Sequence, residues 1–382
     1  MPLIQMTEQT AAITLSLLAA GRLSLTDVVT LYEAAGSALS VLENRKDIRS
    51  IVPEATDKLC DVMASDMAPF VGRAEQEQQW AADNGVGIIM ISDKDYPERL
   101  RSCHDAPLVL YTKGKTDLNA QCTLAVVGTR KCTSYGKDVI ESIMHDLKEL
   151  CPSVRIVSGL AYGVDICAHR AALNEDIVTV GVVAHGHDTL YPALHRNDAN
   201  RMTEHGGAVI TEYVHGTRPE ARNFLQRNRI IAGLTDATLV VESASHGGGL
   251  VTARIAQDYG REVYAIPGPV GAPYSAGCNN MIRDQKAQLV SSAQDIVSMM
   301  NWEQQTKLQQ ARKDGIERSL FNNLSSDEQK IADALRQSGD LPLSELLAIT
   351  TLPVSVLHST LFSLEMRGII RTMPGNTYHF IR

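Results

Sequence analysis

Leu124-Ala125-Val126-Val127-Gly128-Thr129-Arg130 and Thr238-Leu239-Val240-Val241, the latter followed by Glu242-Ser243-Ala244-Ser245-His246-Gly247-Gly248-Gly249, are the stretches that decide the fold. Both open as short apolar runs without alternation, the pattern of a strand buried on both faces of a parallel sheet. Both end in a glycine turn, and helical spacing resumes beyond it. The same texture recurs at 87–91, 155–157, 178–183, 208–210 and 262–266. Strand, turn and helix in steady alternation build βαβ units. Residues 85–301 are therefore expected to form a doubly wound, Rossmann-like α/β domain with a parallel sheet.

Working outward, residues 1–84 change period. Ala11-Ala12-Ile13-Thr14-Leu15-Ser16-Leu17-Leu18 and Val28-Val29-Thr30-Leu31-Tyr32 have helical spacing, with Thr26-Asp27 where an N-cap is expected and Gly21 and Pro53 as punctuation. This predicts a small helical domain. Residues 302–324 are rich in Gln, Lys, Arg and Asn and read as a polar linker. In 325–382, Ser325-Ser326-Asp327-Glu328 has the form of a capping box opening a helix. Two further helical stretches, at 343–349 and 353–367, and a hairpin-like tail make this segment a winged helix. Its charge is nearly balanced, and 353–366 contains no Lys or Arg. Phosphate neutralisation supplies most nonspecific DNA affinity, so this unit is expected to contact protein rather than read duplex DNA.

Composition narrows the function. The 382 residues carry a net charge of −8, so any nucleic-acid contact must be a local basic site on an acidic body. No apolar run is long enough to span a bilayer. The N-terminus has no basic stretch typical of a secretory signal. The seven cysteines show no CxxC spacing, against a zinc ribbon or a disulfide framework. A reduced, cytoplasmic protein without membrane contact is expected.

In open parallel sheets, ligands bind beyond the carboxyl ends of the strands, where helix N-termini present free N–H groups. Several loops suit that edge: Gly128-Thr129-Arg130, Ser158-Gly159-Leu160-Ala161-Tyr162-Gly163, Gly247-Gly248-Gly249 and Pro267-Gly268-Pro269. Neither GxGxxG nor a Walker A motif is present, which disfavours a dinucleotide oxidoreductase or an NTPase. The densest positive charge is Arg218, Arg222, Arg227 and Arg229 against the single acid Glu220. Arg227-Asn228-Arg229 reads as the start of an apolar helix. An Arg pair there opposes the helix dipole unless an anion sits between them; ion pairing to Glu242 or Glu212 is the competing explanation. Asp165 and His169, four apart, could form an acid–base pair. His185-x-His187 lacks a third metal ligand at suggestive spacing. Tyr191-Pro192 reads as a turn with a stacking aromatic.

With these residues in view, the chain resembles the bacterial DNA-processing protein A (DprA/Smf) family over nearly its full length. The resemblance is carried by Asp95-Tyr96-Pro97, Ala125-Val126-Val127-Gly128-Thr129-Arg130, Ser158-Gly159-Leu160-Ala161-x-Gly163-Val164-Asp165, Arg227-Asn228-Arg229-Ile230-Ile231-Ala232-Gly233-Leu234, Pro267-Gly268 and Gly277-x-Asn279. It implies a non-catalytic protein without cofactor or metal that binds single-stranded DNA, forms homodimers and helps load the RecA recombinase in natural transformation. It also implies a SAM-like N-terminal module and a C-terminal winged helix. The implied DNA-binding residues are Gly128, Thr129, Arg130, Ser158, Gly159, Arg227, Asn228, Arg229, Gly247, Gly248, Gly249, Thr252 and Asn279; Lys286, which departs from the Gly common in the family, is expected to add a phosphate contact. There are departures: Gly247-Gly248-Gly249 stands where the family usually has Ser-Gly-Ser, Leu225 replaces a Pro, and His195 stands where many members have Asn. The alternative is a nucleotide hydrolase of the phosphoribohydrolase type with Glu242 or Asp165 as acid–base. The glycine loop lacks that type's following Thr and Glu.

Overall fold

The computed structural model describes residues 6–303, 324–366, 369–373 and 377–380. They form two compact units dividing near residue 306. Most of the expected linker, 304–323, lies outside the described residues, as do parts of the tail.

The first unit opens with α1 (Glu8–Gly21), α2 (Leu25–Ala35), α3 (Ala38–Glu43), α4 (Ile48–Ile51), α5 (Asp57–Ala64) and α6 (Ala68–Asp83). Thr7, Ser24, Ser37 and Thr56 cap four of them. The start of α2 differs from the Thr26-Asp27 expectation. Ser24 is the N-cap and Asp27 the third helical residue, each accepting from the other's backbone N–H in a reciprocal box that satisfies two otherwise orphaned donors. Ala11, Ile13, Leu15 and Leu31 share one core with Val109, Leu110 and Tyr111 and with Ile230 and Ile231. The change of texture near residue 84 thus crosses a continuous core.

The chain continues through β1 (Gly87–Met90), α7 (Glu98–Arg101), β2 (Val109–Gly114), β3 (Thr123–Val127), α8 (Ser134–Leu150), β4 (Arg155–Ser158), α9 (Val164–Asn174) and β5 (Thr179–Val182). Then come α10 (Arg196–Glu204), β6 (Ala208–Thr211), α11 (Ala221–Gly233), β7 (Ala237–Val240), α12 (Gly248–Asp258), β8 (Glu262–Ala265), α13 (Ala276–Arg283), β9 (Gln288–Leu289) and α14 (Ala293–Met299). The strands make one nine-stranded sheet, ordered β1-β2-β6-β5-β4-β3-β7-β8-β9. It is parallel from β6 to β9. Two antiparallel edge pairings, β1 with β2 and β2 with β6, extend it.

Helices cover both faces, which is why the strand runs do not alternate. Along β3, Leu124 and Val126 point into the core under α8, α9 and α14, while Ala125 and Val127 point into the core under α11 and α12. Each such Leu or Val stabilises the fold by ~1.5–3 kcal/mol when fully buried. Trp302, at the start of the segment read as linker, is wholly buried in the first of these cores.

The second unit contains α15 (Ser326–Ser338), β10 (Leu341–Pro342), α16 (Leu343–Thr350), α17 (Val354–Met366), β11 (Ile370–Met373) and β12 (Thr377–Phe380). Ser325 and Glu328 form the expected capping box. The strands pair antiparallel in the order β10-β12-β11. Ile331, Leu335, Leu346, Leu357, Leu361 and Leu364 close its core. This is a winged helix. Among the described residues, no single helix is long and apolar enough to cross a membrane.

Candidate nucleic-acid interface

From β3 the chain steps away to β4, β5 and β6, then returns to place β7 on the other flank of β3. The loops leaving β3 and β7 therefore part in opposite directions, opening a crevice at the carboxyl edge. A pocket of about 260 Å³ occupies it. Its walls are Gly128–Arg130, Tyr162 and Asp165 at the start of α9, Phe224, Arg227 and Asn228 of α11, and Gly247–Gly249 with Thr252 at the start of α12.

The backbone reaches this geometry only because side chains are missing. A Cβ on Gly249 would lie 2.9 Å from Gly128 Cα, and one on Gly128 would lie 2.6 Å from Val164 Cγ2 and 2.7 Å from Glu242 O. The first turn of α12 thus packs directly on the β3 loop, which is tied to β7 by Thr129 N–H donating to Glu242 O at 2.7 Å. The N-cap of α12 is Gly247, with no side-chain cap. Its first N–H groups and the positive end of its dipole are left for a ligand.

The cations divide sharply. Arg130 is exposed, with its guanidinium 5.4 Å from the centre of the Phe224 ring. Arg227 approaches the same ring at 6.0 Å from a buried position. Its Nη1 donates to Gly159 O at 2.6 Å and to Val182 O. A Cβ on Gly159 would collide with this guanidinium at 2.5 Å and with Asp165 Oδ2 at 2.6 Å, so glycine is required where the two groups meet. Burial lowers the Arg227 pKa to about 10, against the pull of Asp165, and leaves it a cation at neutral pH. Burial raises the Asp165 carboxyl, opposed first by Arg227 and then by the Ala161 N–H.

Arg229 has a different place. It is buried on the far side of α11, where Nη1 donates to Asp105 O at 2.7 Å and Nη2 to Glu212. Burial acts against its charge, but Glu212 and Asp105 outweigh it and hold the pKa up. The expected helix start is also corrected. α11 begins at Ala221, so Arg227-Asn228-Arg229 lies within the helix and the dipole argument for an anion there lapses. Residues two apart on a helix differ by about 200° in direction, which sends the two arginines to opposite environments.

The remaining sequence candidates fall into three groups. Gly128, Thr129, Asn228, Gly247, Gly248, Gly249 and Thr252 line the pocket with Arg130 and Arg227. Ser158 is buried with Oγ donating to Val126 O at 2.6 Å, and Gly159 makes room for Arg227. Asn279 clamps the Gly268 backbone through both side-chain amide atoms, while Lys286 is exposed in a separate hollow with Arg254 and Ser245. Asp165 and His169 do not pair, because the His169 ring is buried against Thr179 Oγ1 at 2.7 Å. His185 contacts Gly186 O and accepts from Tyr191 N–H, and His187 contacts Tyr111 O. Both oxygens of the Glu242 carboxylate accept from Thr133, one from N–H and one from Oγ1.

Two pocket residues were not singled out by sequence reasoning. Tyr162, 40% exposed, packs edge-on against His195, and Phe224 meets Tyr191 at 5.8 Å. For Tyr162 the available signal was an aromatic residue in a glycine-flanked turn of a chain with only 5% aromatics; Phe224, inside α11, gave no such signal.

The profile of the DNA recombination-mediator protein A family matches residues 87–301, and that of the DprA winged helix domain matches 319–376. The chain is 35% identical over 319 residues to the putative DNA processing protein DprA of Mycobacterium tuberculosis, covering 80% of each. It is 34% identical over 306 residues to protein Smf of Escherichia coli K12, covering 78% of each. The solved DprA of Streptococcus pneumoniae superposes with a TM-score of 0.56 at 30% identity, over 72% of this chain and 98% of that one. A Rossmann-like domain with a cationic crevice, followed in the chain by a winged helix, is an architecture of DNA-processing proteins. The chain belongs to the DNA recombination-mediator protein A family, the DprA/Smf proteins.

Proposed function

We propose that the crevice between β3 and β7 binds single-stranded DNA, and that the protein acts as a cytoplasmic homodimer that protects incoming strands and helps load the RecA recombinase in natural transformation. The observation that carries the binding site is one ring, Phe224, approached by the Arg130 and Arg227 guanidiniums beside the uncapped start of α12. Phosphates meet Arg130 and the N–H groups of Gly248 and Gly249, while Phe224 and Tyr162 offer faces on which bases stack. None of these groups reads a base edge, so binding tolerates sequence. A duplex keeps its base faces covered and gains nothing from the rings.

Fluorescence anisotropy with a ~20-nucleotide strand and a duplex of equal length, at two salt concentrations, tests the reading. The single strand binds preferentially, and Arg130→Ala weakens it while reducing the magnitude of the salt slope by about 0.7, one phosphate contact. Equal binding of duplex, or an Arg130→Ala protein with wild-type affinity and slope, overturns it.

A further inference from the structure

Two of the seven cysteines, Cys132 and Cys167, lie behind the Arg130 loop, and the DNA-binding reading does not use them. Cys132 follows Arg130 by two positions, and Cys167 sits in the first turn of α9 with its N–H on Gly163 O. The same turn receives the β3 loop, since Val164 N–H donates to Thr129 O at 3.0 Å. Both side chains pack on the same core, each thiol perturbs the other electrostatically, and each is only partly buried. The neighbouring Cys132, with Lys137 and Arg170 nearby, lowers the Cys167 pKa and favours its thiolate. The Cys132 thiol is pushed up by Cys167, by burial and by Glu242. A reactive thiolate is therefore paired with a thiol able to resolve it. Cys122 and Cys151 are 1% and 0% exposed, closed to a solvent oxidant.

We propose that Cys132 and Cys167 are a modification site, a peroxide-sensitive dithiol whose disulfide draws the Arg130 loop onto α9. The Cys167 thiolate attacks one peroxide oxygen, the O–O bond breaks, and the departing hydroxide takes the proton Cys167 had released, giving Cys167 sulfenic acid and water. Cys132 sulfur then displaces the sulfenic hydroxyl, which leaves with the Cys132 proton as a second water. Two thiols are oxidised by two electrons and one peroxide is reduced. In a disulfide the two sulfurs lie ~2.05 Å apart. The pair lies on the α8 side of the loop, where Cys132 Sγ would be 2.9 Å from a Cβ on Gly136, whereas Phe224 lies on the α11 side. Closure thus pulls Arg130 away from Phe224 and weakens strand binding. That consequence rests on the proposed DNA reading; the disulfide itself does not.

Full-length protein is treated with hydrogen peroxide, digested with trypsin without reductant and mapped by mass spectrometry. A cross-link between peptides 132–137 and 156–170 is expected, with loss of two of the seven thiols and recovery on reduction. Cys132→Ser should halt at a dimedone-reactive Cys167, while Cys167→Ser should leave Cys132 unoxidised. Absence of that cross-link, or preferential oxidation of another cysteine, overturns the site. Anisotropy on reduced and oxidised protein should show a several-fold, reductant-reversible loss of strand affinity. The cross-link with unchanged affinity overturns the coupling to the pocket. A cross-link in protein that binds no strand in either state refutes the DNA reading and leaves the dithiol standing.

Discussion

Gly248 and Gly249 are adjacent in the first turn of α12 and both line the pocket, yet alanine should have opposite effects at the two positions. At Gly249 the new Cβ would lie 2.9 Å from Gly128 Cα and 3.0 Å from Gly128 N. Non-bonded carbons prefer ~3.5–4.0 Å, so helix and loop must separate by about 0.6–1 Å. Both partners are backbone, and no rotamer change relieves the contact. Overpacking of this kind costs ~1–3 kcal/mol, offset by at most ~1 kcal/mol from replacing a helical glycine. The expected net loss is about 1–2 kcal/mol, or roughly 2–8 °C in Tm for a unit of this size. The same shift carries the first N–H groups of α12 beyond the ~3.2 Å limit of a good hydrogen bond to a phosphate. One charge-assisted bond is worth ~1.5–3 kcal/mol, so strand affinity should fall roughly ten- to hundredfold. At Gly248 nothing lies within 4 Å of the new Cβ. Gly248→Ala should match or slightly exceed wild-type stability and keep the N–H groups in place. Thermal unfolding and strand anisotropy on both variants decide the matter. If Gly249→Ala melts and binds like wild type, or Gly248→Ala is the more damaging, the claim that the Gly128–Gly249 contact sets the pocket is refuted.

Two further outcomes follow from buried charge. Arg229→Met leaves Glu212 buried without its partner and should lower stability by ~3–5 kcal/mol in urea titrations, while protein that remains folded at low temperature binds the strand with unchanged salt slope; a changed slope would place Arg229 at the DNA. The His169 pKa is lowered to about 3 by burial, below an unfolded value of ~6.5, so the unfolded chain binds more protons between these limits. Its contribution is complete above pH ~6.5 and is lost on acidification, by about 1 kcal/mol at pH 5.5. Urea midpoints should fall as pH drops from 7.5 to 5.5, and His169→Gln should flatten part of that slope; an unaltered slope would show that His169 does not carry it.

The sheet was legible because burial on both faces leaves an unbroken apolar run, and seven of the nine strands announce themselves that way. β2 and β9 did not. β2 turns from buried Val109-Leu110-Tyr111 to the more exposed Thr112-Lys113-Gly114 as it runs past the end of its pairing with β1, and β9 is two exposed residues held by pairing with β8. At the site, the glycine loops and Arg130 were readable because their chemistry is local. The split between Arg227 and Arg229 was not, because it depends on where α11 begins. Glu220, the N-cap, makes no side-chain cap hydrogen bond, so the start carries no Ser, Thr, Asp or Asn signature and the helix reads as beginning too late. Once the true start is known, their separation by two positions sends one guanidinium to the crevice and the other to Glu212.

An acidic body and a DNA-binding crevice are physically compatible because the two act over different distances. At ~0.15 M salt, charges more than ~8 Å apart are largely screened, so the net charge of −8 bears little on a phosphate already in the crevice. There it meets Arg130, which the described residues leave without an ion pair, and a helix start with no carboxylate cap. Elsewhere the surface repels a polyanion, and nonspecific coating of duplex is disfavoured. Glu242 shows how the fold keeps its own acid from competing: its carboxylate lies next to the β3 loop but is consumed by Thr133 at the start of α8. A glycine at 136 is needed for that arrangement, since a Cβ there would lie 2.4 Å from Glu242 Oε2. The crevice is therefore positive because Arg227 offsets Asp165 in its wall and Glu242 is held behind it, and not because the protein is basic.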